Sequence, residues 1–90
     1  MSPSIGRIVH YVQEKPARYQ PSEGPKLLVH LPAIITVVWS DTCVNLMVFS
    51  DGSNSEADDT NFRCTKWVTS PNLDESETPQ ALTWHWPEKV

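Results

Sequence analysis

The sequence predicts an all-β fold: a small SH3-like barrel, or a partly open five-stranded antiparallel barrel with a long proline-rich first loop. Three observations lead there. Apolar residues never recur at the helical spacing i, i+3, i+4, i+7, whereas short runs rich in Val, Ile and Thr recur throughout. Eight prolines punctuate those runs, which breaks any long helix. Ninety residues make one domain with a thin core, so the four tryptophans must supply much of its burial.

Residues 5–12 read as a first strand. A long connection follows over 13–31, QEKPARYQPSEGPKLLVHL, in which 26–31 adds a short edge strand. Residues 33–39, AIITVVW, are the strongest strand, turned at Asp41-Thr42 into 44–49, VNLMVF. Residues 50–61 are a polar, acidic loop, 62–69 the next strand, and 70–82 a second polar loop. Residues 83–86 form a closing strand ended by Pro87.

A two-residue loop at Asp41-Thr42, or a four-residue loop over 40–43, gives the central hairpin one parity. Ile35, Val37, Trp39, Val44, Leu46 and Val48 then share a core face. Ile34, Thr36, Val38, Asn45, Met47 and Phe49 share the other, which is also largely apolar. A small antiparallel barrel ordinarily leaves one face of each strand wet. This second apolar face therefore calls for cover by the 13–31 connection, by a second subunit or by a bound partner. Ile34, Thr36, Val38, Met47 and Phe49 are accordingly candidate oligomer-interface residues.

The net charge of -4, with Lys and Arg scattered singly, argues against a duplex nucleic-acid binder. No apolar run approaches the roughly 20 residues that span a bilayer, and the opening MSPSIGRIVHYV lacks a signal-peptide pattern. An intracellular setting with Cys43 and Cys64 reduced and unbridged is expected. Neither C-x-x-C nor H-x-x-x-H occurs, so His10, His30 and His85 read as separate residues and no metal site is expected. No G-x-S-x-G elbow and no linked nucleophile and base are visible, so no enzyme is expected, and no cofactor. The acidic stretches around Glu56 and Asp74 lack the calcium-loop order and read as solvated loops.

The most informative segment is Thr83-Trp84-His85-Trp86-Pro87. Alternation puts Trp84 and Trp86 on one face and Thr83 and His85 on the other. The two indoles either plug the barrel or form an aromatic platform for a base, a nucleotide or a proline-rich peptide. In the second case His85, Trp67, Arg63, Tyr11, Tyr19, Arg7 and Asn45 are the candidate neighbours, with Arg63, Arg7 or Arg18 pairing phosphates.

Four segments, GRIVHYV at 6–12, PAIITVVW at 32–39, VNLMVFSDG at 44–52 and TWHWPE at 83–88, together resemble a family of short tailed-phage proteins. That family carries G-x-x-V-H-Y, P-A-[IV]-[IV], V-N-L-x-V-F-x-D-G and W-H-W-P in the same order. The stretch 62–68 departs from its W-A-T-S-V-like pattern, so no role for Arg63 or Lys66 follows from the likeness. The resemblance implies a phage or prophage origin and a place in the host bacterial cytoplasm or the virion. By analogy with small phage β-proteins, it points to a non-enzymatic accessory protein that sequesters a small ligand such as a nucleotide immune signal, as a homo-oligomer. The alternatives are a minor virion structural or assembly protein, or an inhibitor of a host protein.

Overall fold

The computed structural model describes residues 2–14, 20–49 and 65–87. The described chain is all β: β1 (Ile8–Glu14), β2 (Leu28–Val38), β3 (Val44–Phe49), β4 (Thr65–Val68), β5 (Asn72–Leu73) and β6 (Thr83–His85). They form one six-stranded sheet in the order β4-β3-β2-β1-β6-β5, curled into a half-barrel. The small-barrel expectation holds, with six strands where five were predicted.

The extra strand is β5, which lies inside the loop predicted over 70–82 and runs parallel to β6. Two residues carry no periodicity, so nothing local announces it. An isolated bridge from Asn72 to Cys43 draws β5 toward the far end of the sheet. The Thr42 carbonyl accepts from the Leu73 amide at 2.7 Å and from the Trp84 indole Nε1 at 3.1 Å. These contacts tie the sheet's last strand to the β2–β3 turn, and so curl it.

Two boundaries shift for physical reasons. The first strand begins at Ile8, because Gly6 adopts a φ of 92° and donates its amide to the Ile35 carbonyl at 2.8 Å. That left-handed conformation suits glycine. The predicted strands on either side of Pro32 are one strand, β2. Ile35 exchanges backbone hydrogen bonds with Arg7 and Gly6 on the β1 side. By alternation the Pro32 nitrogen therefore faces β3, whose ladder has already ended at the Ala33–Val48 pair. The missing N–H costs no ladder bond there.

The central hairpin corrects the predicted register. Val38 pairs with Val44, leaving residues 39–43 as the loop, and a β-bulge between Ile35 and Val37 absorbs one residue at Thr36. Ser40 Oγ accepts from the amides of Thr42 and Cys43, which shapes this wider turn. Beyond the bulge the faces exchange. Ile35, Leu46 and Val48 point inward as expected, but Val38 packs against the core in place of Val37 and Trp39. Trp39 lies 63% exposed.

The barrel interior holds Val9, Tyr11, Leu31, Ala33, Ile35, Val44, Leu46, Val48 and Trp84, all buried. Trp84 is the largest of the fully buried side chains. On the outer face a row of directly paired residues crosses four strands: Ile8, Ile34, Met47 and Trp67. Ile34, Met47 and Phe49 are half-buried, whereas Ile8 and Trp67 are exposed. Residues 21–27 of the long connection are themselves exposed.

Candidate functional site

The outer face changes character where β1, β6 and the start of β2 meet. His10 on β1 lies directly opposite His85 on β6. His30 on β2 lies opposite Val12, one same-face step along β1 from His10. Directly opposed and diagonal side chains on one face are within reach of ring-sized groups. The rings meet edge to face, with centroids 5.4 Å apart for His10 and His85 and 4.9 Å for His30 and His85. One nitrogen from each of the three histidines lies within 4.8 Å of the other two. His85 is buried, His10 half-buried and His30 exposed. His10 Nδ1 is itself buried and has no hydrogen-bond partner among the described residues. A buried polar nitrogen left so costs about 1–3 kcal/mol.

The reading of these histidines as separate residues is therefore corrected: pairing brings them together. Their ligand-like arrangement had no signal in sequence spacing because each sits on a different strand. The alternation within the closing strand was legible, and it correctly sets His85 on the face opposite Trp84.

The connection from β5 to β6 passes beside this cluster. Its residues, with Leu28, His30, His85 and Trp86, line an open groove of about 1260 Å³. Asp74 organises the connection. Its Oδ1 accepts from the amide and hydroxyl of Ser76, and its Oδ2 accepts from the Gln80 amide. These hydrogen bonds, led by the Ser76 hydroxyl, hold the Asp74 carboxyl below the usual carboxylate range, and the nearby His85 adds a smaller push in the same direction. Thr83 Oγ1 donates to the Gln80 carbonyl at 2.6 Å, and the Leu82 amide donates to the Val12 carbonyl at 2.7 Å, which anchors the far end. Asp74, Glu75 and Glu77 all face this groove, giving it a negative rim.

The other candidates divide. Trp84 and Tyr11 belong to the core and cannot present a ring face to a ligand. Trp86 packs edge to face on Trp84, centroids 5.4 Å apart, yet stays half-buried and lines the groove. The Arg7 guanidinium carbon sits 5.6 Å from the Trp86 ring centroid, a cation–π distance. Arg7 and Trp86 are thus brought together beside the groove, whereas Trp84 is withdrawn into the core.

Asn45 is committed elsewhere: its Oδ1 accepts from Trp39 Nε1 at 2.9 Å, Ser70 N at 2.9 Å and Thr69 Oγ1 at 3.2 Å. Trp67 is 62% exposed, on β4 at the far end of the apolar row, away from Trp86 in the strand order. Of the interface candidates, Ile34, Met47 and Phe49 keep the outer face, Thr36 occupies the bulge and Val38 turns to the core. Arg18, Tyr19, Arg63 and Cys64 lie outside the described residues, as does the acidic loop over 50–61. Cys43 is a free thiol.

Comparison with protein-family models, with curated proteins and with solved structures finds no match for this chain.

Proposed function

We propose that this protein is a non-enzymatic binding module that takes a small ligand into the groove beside Trp86. The observation that carries the reading is the groove's composition: an apolar wall from Leu28 and Leu73, an aromatic ring at Trp86, and carboxylates at its rim. Small-molecule sites have this character, mostly apolar with a few convergent polar groups. The ring supports a planar ligand. The carboxylates of Asp74, Glu75 and Glu77 favour a cationic or neutral one on the loop side. Arg7 beside Trp86 is the one described cation placed to serve a phosphate, so a nucleotide would lie with its base on Trp86 and its phosphate toward Arg7. The sequence resemblance supports a setting in a phage-infected bacterium, where sequestering a nucleotide immune signal would be anti-defence activity.

Thermal-shift and calorimetric measurements on chelator-treated protein test this. The panel contains cyclic di- and trinucleotides, cyclic ADP-ribose isomers, and planar cations. At least one class should raise the unfolding midpoint, and Trp86→Leu should remove the rise. An anionic winner should also depend on Arg7, and a cationic one on Glu75 and Glu77. No shift with any class overturns the reading.

A second reading, an assembly role, is favoured by the Ile8–Ile34–Met47–Trp67 row, whose two ends are exposed. It is checked by light scattering in solution and by mass spectrometry of purified virions.

A further inference from the structure

We propose that His10, His30 and His85 bind one divalent first-row transition-metal ion, Zn²⁺ foremost, and leave a coordination position open toward the groove. Three observations carry this. First, the donor set is right: three neutral imidazoles suit Zn²⁺, Cu²⁺ or Ni²⁺ and are poor hosts for Mg²⁺ or Ca²⁺, which take oxygen. Second, the placement is built by the sheet. The donor atoms lie within 4.8 Å of one another, from three strands held in register by backbone pairing. With Zn–N bonds of about 2.0–2.1 Å, tetrahedral ligand nitrogens stand roughly 3.3 Å apart. Closing that difference takes ring movements of up to about 1.5 Å, and His30 is the exposed member of the three. Third, His10 Nδ1 is buried without a hydrogen-bond partner among the described residues, in a cluster where an ion would satisfy it.

The surroundings agree in charge. An ion held by three neutral rings keeps its full double positive charge. The carboxylates of Asp74, Glu75 and Glu77, which share the groove with His30 and His85, would offset it. Three protein ligands leave a four-coordinate ion one site short, the arrangement of zinc centres that take water or an exogenous donor. His30 and His85 line the groove, so that vacancy opens where a ligand enters. The ion would also clip β6, which pairs with β1 through only three residue pairs, to the β1–β2 hairpin. Stapling by metal suits a domain with a thin core. This inference stands apart from the ligand reading: the metal site does not need Trp86, and the Trp86 platform does not need the metal.

The test uses the full chain without a histidine tag, stripped by chelator. Cobalt(II) is titrated and followed by its visible d–d absorption, then displaced by Zn²⁺, and thermal unfolding is run with and without Zn²⁺. Expected are a one-to-one complex, the intense bands of low-coordinate cobalt, and a higher midpoint with Zn²⁺. His30 is exposed, so His30→Ala should keep the wild-type circular-dichroism spectrum while weakening metal affinity at least about tenfold. The double change His10→Ala with His30→Ala should abolish binding. Failure of the wild type to bind one equivalent overturns the proposal. So does binding that His30→Ala and the double variant leave undiminished. Repeating the ligand panel on stripped protein reads the groove separately, so either idea can fail alone.

Discussion

The two ends of the curled sheet solve opposite problems. At the turn end, two oxygens gather the donors around them, although Thr36 Oγ1 in the bulge is buried with no hydrogen-bond partner among the described residues. Asn45 Oδ1 accepts three hydrogen bonds, and the Thr42 carbonyl accepts two, one of them from the Trp84 indole. At the histidine end, three imidazoles are crowded onto one patch, and His10 Nδ1 is buried with no hydrogen-bond partner among the described residues. The shared acceptors Asn45 Oδ1 and the Thr42 carbonyl tie the first region into one geometry. The second keeps an uncompensated cost, which is characteristic of places where a fold holds chemistry for something outside itself. The contrast separates what closes the barrel from what the barrel presents.

Five measurements put that contrast to the test. The largest belongs to the closure. Trp84→Ala should destabilise by about 3–5 kcal/mol in urea unfolding, since it empties the core's largest buried site. A loss under about 1 kcal/mol would show that the barrel does not depend on this plug. Next is Asn45→Ala, expected to cost about 2 kcal/mol and to speed amide exchange at Ser70, whose N–H would lose its acceptor. Third, and opposite in kind, His10→Leu in stripped protein should stay within about 1 kcal/mol of wild type, in either direction, because it deletes a buried nitrogen with no partner. The same substitution should remove the Zn²⁺ response. If Asn45→Ala and His10→Leu cost the same, the two ends do not differ as described.

Fourth, Trp67→Ser should change stability by no more than about 0.5 kcal/mol for an exposed edge residue. A fall in light-scattering mass on this change would move the outer row into an interface. The smallest effect concerns pH. The Asp74 carboxyl is held low in the folded state, so its contribution is present at neutral pH and is lost as pH falls through that depressed value. The Ser76 and Gln80 amides should therefore titrate together, below the usual carboxylate range, in NMR spectra. Titration of either at an ordinary carboxylate pH would remove Asp74 as the organiser of the groove loop.

Much of the fold was legible because period-two patterning is a local signal. Ile35, Leu46 and Val48 were placed inside from alternation alone, and Trp84 and His85 were assigned to opposite faces correctly. Alternation failed at Thr36, since a bulge inserts one residue without any sequence mark and flips Val37 and Val38. Pro32 suggested a break, yet its ring sits where the β3 ladder has stopped, which only the neighbouring strand's length reveals. The site was less legible still. Trp86 and His85 were singled out, but Tyr11, Trp84 and Asn45 proved to be spent on packing and turn closure. The His10–His30–His85 cluster was passed over because metal-site spacing rules assume ligands close in sequence.

By itself the sequence determined the all-β class, the hairpin over 33–49 and the facing of the last strand, because these follow from side-chain periodicity and β-branched content within a few residues. The tertiary structure alone decided which strands became neighbours. Placing β1 between β2 and β6 set His10 beside both His85 and His30, and placing β5 against β6 raised the groove wall next to them. Pairing between distant strands is chosen by the burial of the whole sheet, which no short stretch of residues encodes.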